Sequence, residues 1–343
     1  MKIDYPLNFI RTHSSEETQR ILKNFLESSK YILITGKTSS KEISSQFINK
    51  KEFRPFMVFE VDSHNHEYID SLAHDLLDKN IKYVVSIGGG VVVDFAKRLS
   101  LLSKFKLISI PTIVSNDGMA SPISVLKISN KKKSLPGKLP DIILIPMNII
   151  QEAPERYLKA AILDTLSNLS AINDWKYAED GLRFDHSNSM AINLSMMAAN
   201  MVLNIKNLEL TDKRILECAL DVQLLSGMAM TVSGTSRPCS GSEHIISHAL
   251  DDLQLEPDIL HGEKVGIISE FTLFLQGKDI PEVSILLRKL GIDKGIPGLK
   301  DFSKEKVVDF FSFAKKLRPE RITILAKYSS KELYEMHSEF IKN

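Results

Sequence analysis

Cysteine is nearly absent from this chain of 343 residues: Cys218 and Cys239 are the only two. They have neither metal-ligand spacing nor the numbers for a disulfide framework, which suits a reducing compartment. An excess of charge is absent too, since 44 basic side chains stand against 43 acidic ones. No general attraction to nucleic acid or to an anionic membrane follows from that balance, so neither is an expected partner. Long hydrophobic runs are missing, and no stretch approaches the ~20 apolar residues of a membrane span. The stretch MKIDYPLNFIRTHSSEE lacks the uninterrupted apolar region of a secretory signal. Repeats and low-complexity tracts are missing as well. The expectation is a soluble, cytoplasmic protein.

What is present is a chain too long for one ordinary core, so two domains are expected. In the first part, apolar runs alternate with amphipathic segments. Tyr31–Thr35, Phe56–Val61, Tyr83–Ile87 and Leu107–Ile110 read as strands, Glu16–Ser28, His66–Lys79 and Val91–Leu102 as helices. This alternation predicts βαβ units and a parallel sheet. From about Pro154 onward helical periodicity dominates, over Arg156–Tyr177, Asn188–Asn207, Asp212–Thr231, Ser242–Leu253 and Glu263–Gln276. The predicted organisation is an α/β domain over residues 1–152 and an all-helical domain over 153–343. The run Lys131-Lys132-Lys133 reads as a solvated loop.

Three segments carry chemistry. Gly88-Gly89-Gly90 follows a strand and opens a helix bearing Asp94 and Lys97. Such a turn lets backbone N–H groups approach a pyrophosphate, although an ordinary tight strand-to-helix turn would look the same. The G-x-G-x-x-G fingerprint is not present. The polar loop from Pro111-Thr112 to Ser121-Pro122 follows a strand and would lie at the carboxyl edge of the sheet, where ligands bind. His244 and His248, four apart, share one helix face, and His261 opens a further helix. Two imidazoles from neighbouring helices and a carboxylate from a third make a three-ligand Zn²⁺ or Fe²⁺ site, though an isolated His pair at this spacing is more often structural.

Taken together, these blocks resemble the superfamily of dehydroquinate synthase, glycerol dehydrogenase and iron-containing alcohol dehydrogenases, most closely the sn-glycerol-1-phosphate dehydrogenase family. The resemblance rests on Ser86–Gly90 with Asp94 and Lys97, on the Thr112–Pro122 loop with Asp117-Gly118, on Asp164 with Ala171–Trp175, and on Ser233–Pro238 leading into Glu243-His244, His248 and His261-Gly262-Glu263. It implies a Rossmann-like nucleotide-binding domain followed by a helical metal-binding domain. It places a metal (Zn²⁺, with Fe²⁺ or Ni²⁺ as alternatives) on Asp164, His244 and His261. His248 and Asp117 would stand near nicotinamide and substrate as catalytic residues. Gly88, Gly89, Gly90, Asp94, Lys97, Thr112, Ser115 and Ser121 would line the site of NAD(P)H.

The implied reaction is reduction of dihydroxyacetone phosphate, or a closely related phosphorylated ketone, to sn-glycerol 1-phosphate. A dehydroquinate synthase-like lyase using NAD transiently is the alternative, and a silent binding protein a third reading. A homo-oligomer is compatible with the resemblance. Several residues depart from its pattern: Pro146 ends a strand where relatives tend to carry aspartate, glycines are missing before Asp164, and Asn168 replaces the usual Lys or His. Lys37 follows the first apolar strand where an acid would favour NAD, so a 2′-phosphate is acceptable there. Arg237 is a candidate for the substrate phosphate on charge alone, with a structural ion pair equally open.

Overall fold

The computed structural model describes residues 8–48, 54–62, 66–129, 131–181 and 186–342. The first seven residues of the N-terminal stretch therefore lie outside the described residues. The chain divides into two compact units, Met1–Pro154 and Glu155–Asn343.

The first unit contains β1 (Asn8–Thr12), α1 (Ser15–Leu26), β2 (Tyr31–Gly36), α2 (Ser39–Ile48), β3 (Met57–Val61), α3 (Ile69–Leu76), β4 (Tyr83–Gly88), α4 (Gly90–Ser103), β5 (Lys106–Pro111), β6 (Ile123–Ile128), β7 (Lys131–Pro136), β8 (Ile142–Pro146) and the single turn α5 (Met147–Ile150). Six strands form one parallel sheet in the order β1-β8-β5-β4-β2-β3. The inner strands β2, β4 and β8 are buried on both faces, which is why they read as continuous apolar runs rather than alternating ones. One face packs Ile32, Val84, Phe95 and Leu99 together, the other Leu22, Leu33, Val85 and Leu144. The order reverses between β2 and β4, because β3 lies on one side of that pair and β5 on the other. In open α/β sheets, ligands bind at the carboxyl ends of the strands at such a reversal. Here those ends are Gly36 and Gly88.

Two features of this unit depart from expectation. Lys131–Lys133 belong to β7, paired antiparallel with β6 through Leu126↔Lys133, Lys127↔Lys132 and Ile128↔Lys131. The lysines stay exposed, so a charged edge strand looks like a loop when its partner is unseen. β1 and α2 also went unread, since both are short and weakly patterned.

The second unit has no strand among its described residues. It contains α6 (Glu155–Leu166), α7 (Asn168–Gly181), α8 (Ser189–Leu203), α9 (Lys213–Ser233), α10 (Ser242–Asp252), α11 (His261–Leu275), α12 (Pro281–Lys289), α13 (Lys304–Leu317) and α14 (Ser330–Lys342). The segment expected as one helix over Arg156–Tyr177 breaks at Ser167. Its hydroxyl donates to the Asp164 carbonyl at 2.7 Å, a side-chain bond that competes with helix continuation. α9 is long and apolar enough by length and composition to cross a membrane, contrary to the reading of the sequence. More than half of its apolar window is buried inside the protein, as in the core helix of a globular domain. Ile246, Leu250, Phe271, Phe311 and Leu333 form the centre of a second core, built from α10, α11, α13 and α14.

Candidate functional site

Three helices of the second unit bring the candidate ligand set together. Asp164 lies at the end of α6, His244 in the first turn of α10, and His261 at the first position of α11. Their ligand atoms all lie within 4.8 Å of one another. Asp164 Oδ1 stands 3.9 Å from His261 Nε2. The rings of His244 and His261 are 5.1 Å apart between centroids.

The approach of α11 to α6 depends on Gly266. A Cβ at this position would meet the Leu163 Cβ at 2.5 Å and its carbonyl oxygen at 2.8 Å. Leu163 precedes Asp164, so the small residue lets the two helices that carry Asp164 and His261 touch. Lys159 of α6 and Glu263 of α11 face each other at 3.7 Å across the same contact. Glu263 also accepts from the Leu260 N–H at 3.1 Å, fixing the start of α11 where His261 sits.

Glu243 orients His244. Its Oε1 lies 2.9 Å from His244 Nδ1 and accepts the Gly241 N–H at 2.5 Å, while Oε2 accepts from Ser170 at 2.7 Å. With Nδ1 engaged by a carboxylate, Nε2 of His244 is left for a metal, the usual carboxylate–histidine support of a metal ligand. Glu243 is wholly buried, and burial raises its pKa against the lowering effect of these donors. Burial pushes His244 down to about 3, with the cations Arg321 and Arg318 adding to the effect. A neutral imidazole is the form that ligates a metal. The donor set of two imidazoles and one carboxylate fits a borderline ion such as Zn²⁺, Fe²⁺ or Ni²⁺ better than Mg²⁺ or Ca²⁺.

His248 lies beside this set, its ring 6.2 Å from His261 and 6.4 Å from His244. It is not one of the clustered ligand atoms. Its Nε2 faces Arg318 Nη2 at 3.4 Å, and burial followed by the Arg318 charge holds its pKa well below the ordinary value. Asn168, the departure one turn after Asp164, is buried and donates to Ser226 Oγ at 2.9 Å, so it serves packing within the unit.

Asp174 ties the surroundings of the site together. Its Oδ2 accepts the Ser242 N–H at 2.6 Å, and Oδ1 accepts the Ile324 N–H at 2.8 Å and the Gln276 amide at 3.0 Å. Burial, then the Glu243 charge, raises its pKa to about 6. Arg321 donates from Nη1 to the Ser240 carbonyl at 2.8 Å and from Nη2 to Ser236 Oγ at 2.7 Å. Arg237 donates to the Ile322 carbonyl at 2.6 Å. Neither Arg318 nor Arg321 was singled out from the sequence. Glu243 stands next to His244 in the sequence, and a carboxylate adjacent to a candidate ligand is the signal that marks such a support.

The remaining predicted residues sit in the first unit. Gly89 precedes α4 and has no side chain to cap its first N–H groups. A Cβ on Gly90 would meet nothing within 4 Å, so that side of the turn is open to an anion. Thr112 is buried, its N–H donating to the Gly88 carbonyl at 3.1 Å; Ser115 is half-buried. Lys97 is wholly buried and pairs with Asp94 at 2.8 Å. Its ammonium also donates to the Gly118 carbonyl at 2.6 Å and to the Ile123 carbonyl, with Ser121 Oγ at 3.5 Å. Lys97 thus braces the loop carrying Asp117 against α4. Burial raises Asp117 to about 6, moderated by Lys97 and reinforced by Asp94. Lys37 is paired with Asp62, just beyond β3. An acid thus stands beside Lys37 just beyond the neighbouring strand.

Residues 12–154 match the family described as iron-containing alcohol dehydrogenase. Glycerol-1-phosphate dehydrogenase [NAD(P)+] of Pyrococcus horikoshii is 32% identical over 315 residues, covering 91% of this chain and 90% of the relative. The protein of the same name from Methanosphaera stadtmanae is 31% identical, covering 90% and 88%. Among solved structures, a probable glycerol dehydrogenase from Sinorhizobium meliloti superposes with a TM-score of 0.78 at 18% identity, over 100% of this chain and 99% of that one. Sulfoacetaldehyde reductase from Bifidobacterium kashiwanohense, in complex with NAD+, gives 0.73 at 16% identity over 100% of both chains. These structures share the fold, a Rossmann-like α/β unit with a helical unit. The sequence relatives place the chain more narrowly: it belongs to the glycerol-1-phosphate dehydrogenase family of the iron-containing alcohol dehydrogenases and is an NAD(P)-dependent oxidoreductase.

Proposed function

We propose that this enzyme reduces dihydroxyacetone phosphate, or a closely related phosphorylated ketone, to sn-glycerol 1-phosphate with NADH or NADPH, and that it requires a metal. The observation that carries this reading is the convergence of Asp164, His244 and His261 in a chain similar, over nine-tenths of its length, to relatives of that name. A divalent ion on those three residues supplies Lewis acidity toward a carbonyl oxygen, and a bound nicotinamide supplies the hydride.

The protein's own residues do the rest. Glu243 holds the His244 ring through Nδ1 and keeps Nε2 turned to the ion. His248, kept neutral by burial and by Arg318, relays a proton from solvent water to the product oxygen, one ring nitrogen giving up its proton as the other takes one from water. Its Nε2 accepts from Arg318, so the ring proton sits on Nδ1. Residues 1–152 hold the dinucleotide. There the turn Gly88-Gly89-Gly90 and the start of α4 take the pyrophosphate, Thr112, Ser115 and Ser121 line the site, and Asp117 lies by the nicotinamide. Asp94 and Lys97 belong to the same cofactor site, Lys97 also holding the Asp117 loop through the Gly118 carbonyl. Lys37 and Asp62 meet the adenosine ribose, with or without its 2′-phosphate. Residues 153–343 hold metal and substrate, and the enzyme works in the cytoplasm.

The test follows NADH and NADPH absorbance with dihydroxyacetone phosphate, using zinc-loaded and chelated protein. Oxidation that depends on metal is the expected result. No oxidation with either cofactor, in protein shown to hold metal, would overturn the substrate assignment.

A further inference from the structure

Among the described helices of more than one turn, α8 is the one without Asp, Glu, Lys or Arg. Its small residues point inward: Ala191, Ser195, Ala198, Ala199 and Val202 are buried. Its long apolar ones point outward. Met190 is 55% exposed and Met197 52%, with Leu194 and Met201 half-buried. A surface helix ordinarily turns its large apolar side chains to the core and its charges to water, because burial stabilises the first and hydration the second. α8 reverses that arrangement, which marks its outer face as a contact surface.

The spacing says what kind of surface fits. Met190, Leu194, Met197 and Met201 follow steps of four, three and four, the seam of a helix that packs its side chains between those of a second helix. Asn193 and Asn200 flank the seam, both exposed. The seam is also a palindrome: Met190 and Met201, and likewise Leu194 and Met197, stand at equal distances on either side of its midpoint. A second α8 laid antiparallel across a two-fold axis at that midpoint would set Met190 against Met201 of the partner subunit. Leu194 would then meet Met197 of the partner subunit.

Charge selects a copy of this chain as the occupant. In a two-fold contact every group near the axis meets its own kind, so a charge there is repelled by its own image. α8 carries no charge to repel. Antiparallel packing also sets the positive start of one helix dipole beside the negative end of the other. An asparagine amide both donates and accepts, so Asn193 and Asn200 are able to bond across the axis as well. A helix made for a lipid surface would instead flank its apolar stripe with lysine and arginine, which α8 lacks.

We propose that the outer face of α8 is a homodimer interface, in which two copies of this chain pack α8 against α8, antiparallel about a two-fold axis through the middle of the helix. The proposal concerns assembly and stands apart from the reaction proposed above.

The experiment measures the mass of the full-length, zinc-loaded enzyme by sedimentation velocity over a wide range of protein concentration. Wild type should sediment at twice the 38.6 kDa of one chain. Met190→Glu and Met197→Glu should each weaken the dimer about 100-fold or more, since an unpaired carboxylate enters an apolar seam. Both methionines are half exposed in the single chain, so circular dichroism should report an unchanged fold. The double variant Met190→Glu with Met201→Lys should recover the dimer, because each glutamate then meets a lysine of the other copy. The two positions lie about 16 Å apart along one helix, too far to pair within a chain. A monomeric wild type overturns the proposal, as does a dimer whose mass neither glutamate changes. A dimer lost in Met190→Glu and not recovered in the double variant overturns the antiparallel pairing on which the proposal stands.

Discussion

At the scale of single residues, the sequence made the candidate ligand set visible and left its supports hidden. His244 and His261 stand in a compact motif, and Asp164 followed from the family's order of blocks. Removing either imidazole should therefore remove the metal together with the activity. His244→Ala and His261→Ala, analysed for metal after purification, should be depleted, whereas His248→Ala should keep metal and lose turnover; equal metal in all three would contradict the assignment. Glu243 acts one bond further out. Glu243→Gln keeps the shape but loses the anionic acceptor at His244 Nδ1, and metal affinity should weaken roughly 10- to 100-fold in a competition titration. Arg318 and Arg321 could not be read at this scale, because nothing in the local sequence of residues 318–321 points to Ser236 or His248. Their meaning comes from contacts spanning 70 and more positions.

Among the elements, helices and inner strands were legible because one physical signal dominates each. Continuous apolar runs marked β2, β4, β5 and β8, and period-3.6 patterns marked α8 to α11. The β6–β7 hairpin was not legible, since β7 opens with three lysines and only pairing with β6 makes it a strand. The break at Ser167 was missed for a similar reason: it lacks the Gly or Pro that usually signals one, and a hydroxyl bond to Asp164 does the work. Helix contact supplies a prediction of its own. Gly266→Val would drive a branched side chain into Leu163, so α6 and α11 must separate. The expected cost is about 1–3 kcal/mol of stability, together with weakened metal binding, both measurable by denaturant titration with and without metal. Normal metal affinity in this variant would show that the close helix contact does not set the ligand geometry.

At the scale of the whole molecule, two carboxyls, one half-buried and one wholly buried, give stability a definite pH dependence. Asp117 in the first unit and Asp174 in the second are both raised to about 6, chiefly by burial. Each binds its proton more tightly folded than unfolded. Their contribution is thus fully present below the unfolded value near 4 and is lost as pH rises through 6. Asp174→Asn should remove one such slope. It should also cost about 1–3 kcal/mol, because one amide oxygen cannot replace the two carboxylate oxygens that accept from Ser242 and Ile324. Denaturant midpoints measured between pH 4 and 8 check both effects, and an unchanged slope would remove Asp174 from the account. Metal should stabilise as any ligand of the native state does, so chelation should lower Tm by an amount that zinc restores.

The sequence by itself determined the two classes of architecture, because burial on both faces of a sheet and on one face of a helix writes its period directly into the chain. It also determined which residues could ligate a metal, since ligation demands particular side chains whatever the surroundings. Tertiary structure decided the rest: that Lys97 braces a loop, that Asp62 answers Lys37 across two strands, and that three arginines meet beside two histidines. These depend on long-range proximity, and charge or hydrogen-bonding capacity in a sequence carries no record of the partner it will meet.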